Sequence, residues 1–160
     1  MFLAGDSHAS WVSDLIWLGT QAYNQSTGEG SVGVEFAGTA VSSPCPGGQN
    51  ISLATANFAS ALLVQSNPEL QYQDLFFRGY YELVVGYDSV NASFYGIPST
   101  IVRNGYELSL ANFTVKAGEN RLHRPLAGGS VESGSLRGGK TLGSNITHDT
   151  ATGRWFQYTG

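Results

Sequence analysis

The stretch LQYQDLFFRGYYELVVGYDSVNASFYG, residues 70–96, decides the fold. Aromatic and β-branched residues recur in it with a period of two, the spacing that lines one face of a pleated strand. Leu70 to Phe77, Tyr80 to Gly86 and Ala92 to Gly96 are predicted to be consecutive antiparallel strands, with Asp88-Ser89 in one turn. Ile101-Val102 and Glu107 to Val115 extend the same meander. Tyr80, Tyr81, Phe76 and Phe77 read as core and cross-strand packing.

Upstream of this meander the pattern changes. Ser52 to Val64 is rich in Ala and Leu and predicts a helix, capped by Ser52 and stopped at Asn67-Pro68. Pro44 to Gln49 is a turn, and Val32 to Val41 reads as a buried strand. In residues 9–18, Trp11, Leu15 and Leu18 share one helical face, which predicts a second helix. Met1 to Ala4 is an apolar stub, read as the end of a buried strand that opens at Gly5-Asp6 into a loop. Beyond Lys116, Gly128-Gly129, Gly134, Gly138-Gly139 and Gly143 interrupt every pattern, so this segment is expected to wrap the domain as loops. The result is a mixed α and β domain with 41% hydrophobic residues spread along 160, enough for one real core.

Charged residues are only 12% and the net charge is -4, which argues against a nucleic-acid partner. The balance is uneven. Residues 1–115 hold two basic and nine acidic groups, whereas residues 116–160 hold six basic and three acidic; the latter read as a solvated, mildly basic surface. Asn-x-Ser/Thr occurs five times, at Asn24, Asn50, Asn91, Asn112 and Asn145. Composition alone would give about 1.6 such triplets. The excess predicts a glycosylated, secreted chain. Met1 to Ala4 is too short for a signal core, so the export signal is expected upstream. No apolar run reaches transmembrane length. Cys45 is the sole cysteine, and it lies between two prolines that remove the backbone donors a reactive thiolate uses.

Two motifs carry candidate chemistry, the first of them with two readings. In Gly5-Asp6-Ser7-His8 a carboxylate and an imidazole two residues apart in a loop can face one point, a donor set suited to iron, zinc or manganese. Gly5 is expected to make the tight exit from the strand. The same residues admit a serine-esterase reading with Ser7 as nucleophile, similar to the GDSL esterases. That family places its base in Asp-x-x-His, which is absent here, leaving His148 as the candidate base. Gly134-Ser-Leu-Arg-Gly-Gly-Lys140-Thr141 matches a phosphate-binding loop by letter but lacks the flanking strand and helix that such a loop needs. His123 and His148 read as solvated. Arg78 can aim a guanidinium at a phosphate or form a structural salt bridge.

Taken in order, three blocks resemble the PhoD-like phosphatases. They are Gly5-Asp6-Ser7-His8-Ala9-Ser10-Trp11, then Gly33 to Pro44, then Asn67-Pro68-Glu69-Leu70 with Arg78-Gly79-Tyr80. Asn104 to Thr114 and the Gly-rich tail resemble the fungal branch. The resemblance implies an α/β fold, the C-terminal part of a layered α/β/β/α metallophosphatase sandwich with a mixed sheet and an antiparallel meander. Residues 1–115 would belong to that domain and 116–160 to a Gly-rich extension. It further implies a two-metal hydrolase of phosphate mono- and diesters, with iron and calcium as the expected cofactors. Asp6 would ligate one metal and His8 the other, and Arg78 would bind substrate. The family's remaining ligands lie upstream of its Gly-Asp-x-His block, so the isolated chain is expected to be inactive, with apolar strand edges that favour self-association. A non-catalytic secreted β-rich glycoprotein is the other reading.

Overall fold

The structure is a computed structural model that describes residues 1–19, 21–142, 146–149, 151–152 and 154–157. Its first sheet contains β1 (Phe2–Ala4), β2 (Ser10–Ile16), β3 (Ser31–Ala37) and β4 (Leu70–Asp74). A short strand further along the chain, Ser135–Leu136, closes the far edge. Across the sheet the order is β1, β3, β2, β4 and then this short strand. β1 runs parallel to β3, while β2 runs antiparallel to both β3 and β4. β3 and β4 therefore point the same way as β1, and the sheet is mixed.

The second sheet is the meander: β5 (Arg78–Val85), β6 (Ser89–Ile97) and β7 (Leu108–Lys116), paired antiparallel throughout. The two sheets face each other across an aromatic core. Tyr72 and Phe36 from the first sheet meet Phe94 at centroid distances of 6.0 and 6.3 Å, and Phe113 packs against all three rings. Tilted and edge-on ring contacts of this kind suit the quadrupoles of the rings. On the opposite face of the first sheet lies α1 (Leu53–Ser66), which buries the stripe Ala56, Ser60 and Val64. Ser52 caps it by accepting the Thr55 N–H at 3.1 Å. The described layers are thus helix, mixed sheet, antiparallel sheet. No helix among the described residues is long and apolar enough to cross a membrane.

Four expectations change. Residues 9–18 hold a strand, not a helix. Trp11 and Leu15 stand an even number apart, so they share a strand face as readily as a helix face, and Ser10, Val12 and Asp14 are buried on the other. Second, β4 does not pair with β5 but leaves the meander to pair with β2. The break is built by Asp74, whose carboxylate accepts the Phe77 N–H at 2.9 Å and the Ser133 hydroxyl at 3.0 Å. It turns the chain from one sheet to the other. Gly79 follows because β6 passes too close for a side chain: a Cβ there would stand 1.9 Å from the Tyr95 carbonyl oxygen. Third, Ile101-Val102 lies outside any strand. Fourth, β1 is an edge strand with Phe2 65% and Leu3 57% exposed, not a buried one.

Beyond Lys116 the chain forms loops with short strands: β8 (Ser130–Val131), β9 (Ser135–Leu136), β10 (Lys140–Thr141), β11 (Ile146–Asp149) and β12 (Arg154–Gln157). β9 joins the first sheet beside β4, and two arginines tie the segment down. Arg124 donates to the Asp14 carboxylate at 2.6 Å. Arg137 donates to the carbonyls of Leu70, Asn67 and Val64, the last two at the C-terminal end of α1. No P-loop forms at 134–141, because strand residues Ser135–Leu136 fall inside it and a second short strand, not a helix, follows.

Asp14 is fully buried and accepts from Arg124, Tyr23 and the Leu122 N–H. Removing one partner of such a pair leaves a stranded charge, so Arg124→Met is expected to cost about 3–5 kcal/mol in urea unfolding. Asp14→Leu combined with Arg124→Met should cost less than the sum of the two. Asp74 gives a pH test. Burial raises its carboxyl above the ordinary 3.8, and its hydrogen bonds oppose this only in part. An acid with a raised folded pKa contributes stability that is fully present below the unfolded value and is lost as pH rises through the folded one. The wild-type urea midpoint should therefore fall over that window relative to Asp74→Asn; parallel curves for the two proteins would refute the assignment.

Candidate functional site

Because β1, β3 and β4 point the same way, their C-terminal ends deliver loops to one rim of the first sheet. This is the rim where open α/β sheets carry their sites. Residues 5–9 leave β1, the segment from Gly38 leaves β3, and residues 75–77 leave β4. Backbone bonds join them: Gly38 N–H to the Ala4 carbonyl at 2.9 Å, and Gly79 N–H to the Ala40 carbonyl at 3.4 Å.

The 5–9 loop bends at Asp6 and His8, with φ of 60° and 58°, both in the left-handed region. Gly5, expected to make the turn, is not left-handed, and a Cβ there would meet nothing within 4 Å. Left-handed backbone at non-glycine residues is costly and tends to mark functional loops. The side chains emerge on the same side. Asp6 Oδ1 lies 3.9 Å from His8 Nε2, with the Asp6 side chain 97% and the His8 side chain 39% exposed. The imidazole is oriented from behind: Nδ1 lies 2.7 Å from the Pro44 carbonyl oxygen. A carbonyl can only accept, so Nδ1 is the donor in this bond, which leaves Nε2 as the ring nitrogen on the side of Asp6. Metal-binding histidines are commonly held in this way.

Ser7 is turned aside, its hydroxyl donating to the Ala9 carbonyl at 2.5 Å. His148 lies on β11, paired with Trp155 of β12. Arg78 is buried, and its Nη atoms donate to the carbonyls of Ser43, Leu75 and Phe76 at 2.9, 3.0 and 3.3 Å. Its described partners are carbonyls, not a carboxylate. Burial pulls its pKa below the ordinary value, with Cys45 and Asp74 opposing. Beside it opens a cavity of about 330 Å³ lined by Pro44, Cys45, Asn50, Phe77, Arg78 and Ile97, among others. Asp6 and His8 lie outside this lining and connect to it through Pro44. Among the described residues, no group of three or more His, Cys, Asp or Glu side chains gathers where it could hold a metal ion.

The sequence reading missed the two buried carboxylates, Asp14 and Asp74. Once residues 10–16 are read as a strand, Asp14 falls on the face of Val12, which marks it as a buried charge needing a partner. Nothing local marks Asp74, since its Ser133 partner lies far along the chain.

The family model of the PhoD-like phosphatases matches residues 1–94. Among solved structures, the chain resembles one titled "Structure of PhoD" with a TM-score of 0.53 and 21% sequence identity. The similarity covers 87% of this chain and 23% of that one, so the chain spans less than a quarter of its length. At such identity the likeness bears on the fold. No curated protein sequence matches the chain. The matched region holds the strained Asp6 and His8 loop, α1 and both sheets up to β6, well over half of the residues, and the chain belongs to the PhoD-like phosphatase family.

Proposed function

We propose that the chain is the C-terminal part of a metal-dependent phosphoesterase acting on phosphate mono- and diesters, and that Asp6 and His8 are two of its metal ligands. The observation that carries this reading is the pair itself. A carboxylate oxygen and an imidazole Nε2 stand 3.9 Å apart at the rim of the parallel strands, and the ring is fixed by the Pro44 carbonyl. In this reading Asp6 would ligate one metal and His8 the other, the carboxylate suiting iron or calcium and the imidazole suiting iron. Metals in such a centre activate water and neutralise charge on the phosphoryl oxygens. What this chain supplies is orientation: the 5–9 loop and the Pro44 carbonyl hold the two donors before any ion arrives. Two donors are too few for a tight site, which supports the reading that the chain alone is inactive and that further ligands come from elsewhere in the parent protein. Family membership favours phosphoester over acyl-ester chemistry, and the Ser7 hydroxyl, committed to Ala9, adds nothing to the esterase reading.

The same proposal includes secretion and glycosylation at the Asn-x-Ser/Thr positions. Asn24, Asn50, Asn91 and Asn112 are exposed; Asn145 lies outside the described residues. The exposed Phe2 and Leu3 on edge strand β1 support association of the isolated chain through that edge.

The test is hydrolysis of p-nitrophenyl phosphate. The chain alone should release no p-nitrophenol. A longer parent protein should do so, lose activity on chelation and regain it with metal. In that parent, Asp6→Asn and His8→Ala should each lower kcat by about 100-fold or more, because even the hydrogen-bond partners of metal ligands are worth about 10–100-fold. Undiminished activity in both variants, or covalent labelling of Ser7 by a fluorophosphonate, would overturn the assignment.

A further inference from the structure

An Asn-x-Ser/Thr triplet has a period of two, so a strand places its asparagine and hydroxyl residue on one face and the middle residue on the other. Two of the triplets lie on neighbouring strands of the meander, Asn91-Ala92-Ser93 on β6 and Asn112-Phe113-Thr114 on β7. Their middle residues belong to the core, Ala92 fully buried and Phe113 within the aromatic cluster. Core packing therefore turns both asparagines outward.

The register does more. Asn91 pairs with Thr114, Ala92 with Phe113 and Ser93 with Asn112, so the two triplets lie antiparallel and in step. The asparagines are diagonal neighbours, about 7–8 Å apart by ordinary strand spacing. Thr114 Oγ1 donates to Asn91 Oδ1 at 2.8 Å. This bond fixes the amide by its oxygen and leaves the nitrogen with one long contact, 3.4 Å to Ser89 Oγ. On the other flank, Val84 of β5 pairs with Asn91 and is 63% exposed. An apolar side chain this open, directly across from a modifiable asparagine, is one that a sugar on that asparagine would cover.

We propose that the outer face of the meander is a two-glycan face, with N-linked sugars on both Asn91 and Asn112. The inference rests on the glycosylation included in the proposed function and specifies where and how it occurs. In each transfer the asparagine Nδ2 attacks the anomeric carbon of a lipid-diphosphate-linked oligosaccharide supplied by the secretory pathway. An N–C bond forms, the C–O bond to the diphosphate breaks, the lipid diphosphate leaves and the amide gives up one proton. No oxidation is involved. The Oδ1 acceptor is untouched by the reaction, so the Thr114 bond persists in the product.

The experiment is glycopeptide mapping by mass spectrometry of the wild-type chain, secreted from a yeast host behind a secretion signal. The expected result is sugar on both Asn91 and Asn112 within single soluble molecules. Asn91→Gln and Asn112→Gln should each remove one glycan, and the double variant two. Occupied Asn24 or Asn50 with sugar missing from Asn91, Asn112 or both overturns the paired face while leaving glycosylation intact. Bare asparagines at all four positions overturn the glycosylation reading and the inference with it.

Discussion

A single buried carboxylate organises this chain. Asp14 sits in the middle strand of the first sheet with no exposure to solvent, and a charge in that position is tolerable only if its partners are in place. All of them come from elsewhere. Tyr23 donates from the loop after β2, the Leu122 N–H and the Arg124 guanidinium from the segment after β7. Its own burial, and then the Asp14 carboxylate, push the Tyr23 hydroxyl far above its ordinary pKa, keeping it a donor. The consequence is structural coupling. Residues 117–125 form a glycine-bearing loop whose one large apolar side chain, Leu122, is buried in the core, and with these bonds they close on the end of the first sheet. Arg137 repeats the device at α1, capping carbonyls that a helix terminus leaves without partners.

With the first sheet pinned in this way, the rim at the ends of β1, β3 and β4 is a rigid base for strained loops. Left-handed backbone at Asp6 and at His8 costs about 1–3 kcal/mol per residue. It persists where the surroundings fix it, and the bonds from Gly38 to Ala4 and from His8 to Pro44 do so. The two candidate ligands are held by backbone geometry and one carbonyl.

Much of this was legible in the sequence. The meander, α1 with its Ser52 cap, and β3 followed from periodicity and stop signals, because each combines a local pattern with a matching tertiary role. The Gly-Asp-x-His block was legible as chemistry, though not its shape, since left-handed φ at Asp6 and His8 is imposed by contacts with residues 38–44. The failures share one cause. In β2, Trp11 and Leu15 fit both periods, and only the sheet neighbours β3 and β4 decide between them. At Asp74 the apolar pattern runs on through Leu75, Phe76 and Phe77, and the switch of sheets depends on Ser133. The tail holds no periodicity because its order comes from long-range contacts that a local reading does not contain: the bonds of Arg124 and Arg137, and Leu122, Leu126, Val131 and Leu136 buried singly in the core.

Arg78 shows how such a bond reaches the candidate site. A buried guanidinium needs its donors used, and here the two Nη groups serve the Ser43, Leu75 and Phe76 carbonyls while Nε, also buried, has no partner among the described residues. Turning the fork towards a phosphate would strand those carbonyls, a cost that contact with the new anion would have to offset. As it stands, Arg78 grips Ser43, and the next residue, Pro44, supplies the carbonyl that orients His8. The turn after β4, the loop after β3 and the imidazole after β1 are therefore one connected unit. Its order runs from the buried Asp74 carboxylate, which shapes the turn, through the Arg78 fork to the imidazole of His8. The feature that reads in sequence as a two-residue motif is the exposed end of a network whose other members are buried.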